Sequence, residues 1–117
     1  MNIKLTASVL DDALVSARIS RVLYHVLLES LTNIVKHAHT QDVCIELDYT
    51  DDLIFLSVAD HGVGYGLPRC SISELIRSRH IGIVGMVEWA ESVNGSLAIQ
   101  QNEPCGTKVI LQVPLPQ

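Results

Sequence analysis

The sequence predicts an α+β fold, a two-layer sandwich in which a mixed sheet of about five strands carries helices on one face. Three observations lead there. Apolar residues recur at three- and four-residue intervals from about Arg18 to His39, the period of one long amphipathic helix. Two strictly alternating segments, DVCIELDY and LIFLSVAD, flank the acidic pair Asp51-Asp52 and read as antiparallel neighbours. Towards the C-terminus a second helical stretch gives way to two further strand-like runs. No linker, repeat or low-complexity segment interrupts the chain, so residues 1–117 are expected to form one domain.

Taken in order, NIKLTASV is a short strand candidate. The long helix follows, carried by Ile19, Val22, Leu23, Val26, Leu27, Leu31, Ile34, Val35 and Ala38. In DVCIELDY the residues Val43, Ile45, Leu47 and Tyr49 share one side of the strand, and LIFLSVAD supplies its partner after the turn. About twenty residues rich in Gly, Pro, Ser and Arg come next and read as loop, with a helical turn around SISELIRS. GIVGMVEWAESV then forms the second helix, stopped by Asn94-Gly95 in a left-handed cap. SLAIQ and TKVILQV close the chain as strands around a NEPCG turn, which makes the sheet largely antiparallel.

Composition narrows the function classes. An apolar fraction of 48% with 18% charged residues belongs to a compact globular domain and not to a disordered one. Phosphate-backbone affinity comes from clustered Lys and Arg, and a formal net charge of -5 argues against a nucleic-acid surface. Cys44, Cys70 and Cys105 are odd in number and lack the spacing of a zinc or redox pair, which fits reduced thiols in the cytoplasm. No apolar run is long enough to span a bilayer, and no secretory leader is evident.

Polar residues interrupt faces that should be buried. At 100° per residue, Glu29, Asn33, Lys36 and His37 fall in the sector opened by Ile19, Val22 and Val26. Unpaired polar groups in a dry core cost several kcal/mol. That sector must therefore look into a polar cleft or emerge at the domain edge. Asp60 shares its parity with Ile54, Leu56 and Val58, and Thr107 shares its parity with Val109, Leu111 and Val113. An acid can end a strand merely by capping a turn, yet all three segments converge on one cavity between the layers.

Behind Asp60, the run DHGVGYG brings Gly62, Gly64 and Gly66 within a few residues, where the backbone can turn and approach a ligand. Gly82 and Gly85 lie at the start of the second helix, whose free N–H groups and dipole favour an anion such as phosphate. The order differs from a dinucleotide-binding fold, and no Walker-type loop is present.

Together these segments resemble the Bergerat-type (GHKL) ATP-binding domain shared by gyrase, heat-shock chaperones, mismatch-repair ATPases and sensor histidine kinases. The likeness is strongest to the sensor kinases with a motif like QEALTNALKHA, which stands here as LESLTNIVKHA, Leu28 to Ala38. IGIVGMVEWAESVNGSL similarly resembles that family's LGLRGMRERAEALGGRL, and the motifs follow the family's order over nearly the whole chain.

The resemblance implies roles position by position. Asn33 matches the asparagine that holds Mg2+ against the phosphates, Glu29 the acid that acts near the γ-phosphate, and Lys36 and His37 a basic pair near the phosphate tail. Asp60 matches the aspartate that accepts from the adenine amino group, Gly62 and Gly64 the glycines that give the base room, and Thr107 the threonine supporting the same contact. Gly82 and Gly85 would flank the phosphates under a lid of about Val63 to Arg79, with Arg77 and Arg79 as phosphate contacts or solvated side chains. The chain departs from the family at His80, where glycine is usual; a side chain there would crowd the phosphates or, protonated, attract them.

The implied ligands are ATP or ADP with Mg2+, and the implied activity is γ-phosphoryl transfer to a histidine on a separate dimerisation domain, with a response regulator downstream. His25, His37 and His39 lie outside any phosphoacceptor context. Two other readings stay open on the same fold: a catalytically degenerate nucleotide-binding or interaction module, and a serine kinase of the anti-sigma-factor type. The expected location is the cytoplasm, alone or as the cytoplasmic part of a membrane-bound sensor, with no nucleic-acid or membrane contact by the domain itself.

Overall fold

The computed structural model describes residues 2–7, 15–38, 42–50, 52–61, 81–101 and 106–115. Strand β1 spans Asn2–Ala7, helix α1 Ala17–Asn33, strand β2 Asp42–Tyr49, strand β3 Leu53–Asp60, helix α2 Ile81–Glu91, strand β4 Ser96–Gln101 and strand β5 Thr107–Pro114. The sheet runs β1-β2-β3-β5-β4. β1 pairs in parallel with β2, and every other neighbouring pair is antiparallel. This is the mixed, largely antiparallel sheet that the sequence predicts.

Alternation decides the layers. Val43, Ile45, Leu56, Val58, Val109 and Leu111 line one face and join Ile19, Val22 and Val26 of α1 and Ile83, Met86 and Ala90 of α2 in one hydrophobic core. A continuous apolar interior of this kind is the main favourable term in folding. On the edge strand, Ile3 and Leu5 stand in register with Val43 and Ile45 yet remain exposed, as do Tyr24, Leu28 and Val35 of the α1 segment.

Both helices have identifiable ends. The Ser16 hydroxyl accepts from the Ile19 N–H at 3.1 Å and caps the start of α1. At the end of α2, Asn94 adopts φ 58° and the Gly95 N–H donates to the Ala90 carbonyl at 2.8 Å, while the Asn94 N–H donates to Glu91. This is a Schellman termination with Asn94 as its left-handed residue. Gly95 then fits where a Cβ would lie 2.6 Å from the Gln112 carbonyl oxygen.

The long helix departs from expectation in its last part. It is α-helical only to Asn33, and Ile34–Ala38 wind as a π turn. A π turn bonds i to i+5 and is wider than an α turn, so a direction extrapolated at 100° per residue fails beyond Ile34.

Candidate functional site

Three cross-helix contacts fix how the helices lie. The Arg18 guanidinium donates to the Ser92 carbonyl at 2.6 Å. The His25 and Trp89 rings stack 4.2 Å apart at an interplanar angle of 12°. The Ser30 hydroxyl donates to the Met86 sulfur at 3.6 Å. Ascending α1 thus meets descending α2, and the helices are antiparallel. At about 1.5 Å per residue, one more turn of α1 beyond Ser30 brings Asn33 level with the first turn of α2, where Gly82 lies.

The sheet shares the same polarity. The tight turn after α2 packs Gly95 against Gln112 and Val113, and β4 then starts at Ser96 opposite Gln112 and runs back to Gln101 opposite Thr107. α2 lies back over that hairpin, so its N-terminus is at the Thr107 end. β3 finishes at that end too, since Ala59 pairs with Lys108 and Asp60 pairs with Val43. The C-terminal part of α1, the N-terminus of α2, the end of β3 and the start of β5 therefore meet at one end of the sandwich.

Asp60 and Thr107 are buried there, at 3% and 8% exposure, in a layer otherwise made of aliphatic side chains. The Thr107 N–H reaches Asp60 Oδ1 at 3.4 Å. Burying a carboxylate is costly unless it is hydrogen-bonded, and this long contact is one of those that Asp60 makes. Glu29 and Asn33, one turn apart on α1, are half-buried, whereas Lys36 is exposed. A Cβ built at Gly85 would meet no atom of the described residues within 4 Å, which leaves open space beside that turn of α2.

The expected residues fare unequally. Asp60 and Thr107 are in contact, and Glu29, Asn33, Gly82 and Gly85 lie on the helix ends that border the same end of the sandwich. On α1 the buried residues run on through Ser30 and Ile34, with Glu29 and Asn33 half-buried beside them and Lys36 exposed, within the cleft-or-edge alternatives that the sequence leaves open. His37 falls in the π turn. Gly62, Gly64, Gly66, Arg77, Arg79 and His80, with the lid and residues 102–105 of the NEPCG turn, lie outside the described residues.

An open cavity of about 390 Å³ lies at the β1–β2 edge, lined by Ile3, Lys4, Asp42, Val43, Cys44 and His61. It contains none of the expected site residues, and the buried acid marks the site better than this groove does. The sequence reading missed the Ser30–Met86 and His25–Trp89 contacts, because periodicity alone does not say which helix a face will meet. It also passed over Gly106, although a glycine directly before Thr107 was visible.

The fold is thus a two-layer α+β sandwich with an acid at the inner end of a central strand, a polar flank on one helix and a glycine-bearing helix N-terminus at the same end. The chain belongs to the histidine kinase-, DNA gyrase B- and HSP90-like ATPase family, whose model matches residues 19–117. It is 34% identical over 97 residues to the oxygen sensor histidine kinase NreB of Staphylococcus carnosus, covering 83% of this chain and 26% of that protein. It is also 23% identical over 105 residues to the signal transduction histidine-protein kinase/phosphatase DegS of Bacillus subtilis, covering 90% of this chain and 26% of that one. The chain thus spans about a quarter of the length of these curated relatives.

Among solved structures, the blue-light activated histidine kinase of Erythrobacter litoralis superposes with a TM-score of 0.77 at 20% identity, over 98% of this chain and 38% of that one. The histidine kinase AdeS of Acinetobacter baumannii superposes with a TM-score of 0.72 at 12% identity, over 98% of this chain and 54% of that one. These two likenesses concern the fold. Among the described residues, no helix is long and apolar enough to cross a membrane.

Proposed function

We propose that this domain binds ATP with Mg2+ and serves as the catalytic part of a two-component sensor histidine kinase, delivering the γ-phosphoryl group to a histidine on a separate dimerisation domain. The reading rests first on the buried Asp60, whose Oδ1 accepts the Thr107 N–H. A carboxylate only accepts hydrogen bonds. It therefore selects a base that presents an amino donor, and the adenine 6-amino group meets that requirement. The sensor kinases NreB and DegS, similar over most of this chain, support the kinase context.

The phosphate tail would run from Asp60 towards the helix ends. There the N-terminus of α2, with Gly82 and Gly85, offers N–H groups and a favourable dipole. Asn33, one turn beyond Glu29 on α1, offers a hard amide oxygen to Mg2+, which keeps several waters and takes its other ligands from phosphate. When bound, the ion neutralises charge on the phosphates. Glu29 is the carboxylate to orient or deprotonate the acceptor, while Lys36 and His37 lie close in sequence as a basic pair for the tail. Gly62 and Gly64 keep the contact roles that the family pattern gives them, while His80, standing where that pattern has glycine, would crowd the phosphates or, protonated, attract them. Most of the rate enhancement would come from positioning and charge neutralisation, as expected for phosphoryl transfer.

In this reading the domain works in the cytoplasm, and a response regulator receives the phosphoryl group from the dimerisation domain. The test is incubation with labelled ATP and a histidine-bearing helical hairpin domain from a related kinase. Acid-labile label on the hairpin supports the proposal. Nucleotide binding without transfer favours a degenerate module, and acid-stable label on a serine of a partner favours the anti-sigma-factor type.

A further inference from the structure

Gly106, immediately before β5, has a φ of 106° and is buried. An L side chain is strained in that conformation. A Cβ built there would run into the Asp60 carbonyl oxygen, 2.8 Å from the Asp60 carbonyl carbon and 2.9 Å from His61 Cα. The chain entering β5 therefore passes directly against the peptide that leaves Asp60. One residue later, the Thr107 N–H reaches Asp60 Oδ1. Consecutive residues thus hold one acid twice, Gly106 against its backbone and Thr107 on its side chain.

We infer that Gly106 is a positioning residue for base selection, an inference that rests on the reading of Asp60 as the adenine contact. The missing Cβ lets β5 start close enough for the Thr107 amide to fix one carboxylate oxygen and so set the direction of the whole group. A carboxylate held in one direction accepts from a 6-amino group and repels a 6-carbonyl oxygen, which separates adenine from guanine. Sites that present a fixed polar partner discriminate far more strongly than apolar pockets do. A Cβ at position 106 must push the 106–107 peptide away, and the carboxylate then loses its fixed direction before the phosphate end of the site is touched.

The experiment is calorimetric titration of the full chain with Mg-ADP and Mg-GDP, with thermal melting as the folding control. The wild type should prefer ADP, and Gly106→Ala should narrow the ADP-to-GDP ratio by roughly tenfold or more while remaining cooperatively folded. A purely structural role would lower the melting temperature and leave that ratio unchanged, which overturns the inference. If Gly106→Ala does not fold, Thr107→Pro is compared with Thr107→Val: both lack the hydroxyl, and only the proline lacks the N–H. A narrower ratio in Thr107→Pro supports the inference, and equal ratios refute it. Absence of any ADP preference in the wild type instead removes the adenine reading of Asp60, and this inference with it.

Discussion

Replacement of Asp60 by Asn probes the site with the least disturbance to the fold. The side chain is 3% exposed, and Asn has nearly the same shape, so no cavity is created. The Asn Oδ1 can still accept the Thr107 N–H that now reaches the carboxylate at 3.4 Å. Its amide nitrogen then stands where the second carboxylate oxygen stood, and a donor faces the donor of the adenine amino group. A hydrogen bond to a charged group contributes about 1.5–3 kcal/mol, so at about 1.4 kcal/mol per decade ADP should bind roughly 10- to 150-fold more weakly. Isothermal titration with Mg-ADP measures this directly, with a urea melt to show that the variant is folded. A folded Asp60→Asn variant with wild-type ADP affinity would refute the assignment.

Asn33→Ala should bind ADP almost equally with Mg2+ and with EDTA, whereas the wild type binds more tightly with the ion; a preserved Mg2+ effect removes Asn33 from that role. Ser16→Ala deletes the cap on α1 and should lower unfolding free energy by about 1 kcal/mol, read from urea midpoints at constant m-value. Met86→Ala removes a side chain that is fully buried and in contact with Ser30, and should cost about 2–5 kcal/mol. Gly95→Ala places a Cβ against the Gln112 carbonyl oxygen and should lower the melting temperature; unchanged stability would mean that β5 is not seated there.

Much of the fold was legible because this core is aliphatic and its alternation is clean. Val43, Ile45 and Leu47 on β2 and Ile54, Leu56 and Val58 on β3 leave one register that buries both sets, and the structure adopts it. The stop at Asn94-Gly95 was legible for a similar reason, since Asn and Gly tolerate the backbone that a Schellman motif requires. Asp60 and Thr107 stood out as polar residues at apolar parity, and they proved to be buried and in contact.

Other features depend on contacts distant in sequence. The π turn at Ile34–Ala38 leaves no periodic mark. Ser30 reads as a helix-surface serine until Met86 is brought over it. Gly106 looked like part of a turn, and its tight approach to Asp60 exists only because β3 and β5 are sheet neighbours.

Backbone amide chemical shifts of the labelled protein, followed during titration with Mg-ADP, bear most directly on where the nucleotide sits. The expected result is saturable movement of resonances from Glu29, Asn33, Asp60, Gly82, Gly85 and Thr107, with Tyr49, Asp52 and Ser96 at the far end of the sandwich unmoved. No movement at millimolar nucleotide, or movement confined to the far end, would contradict the account.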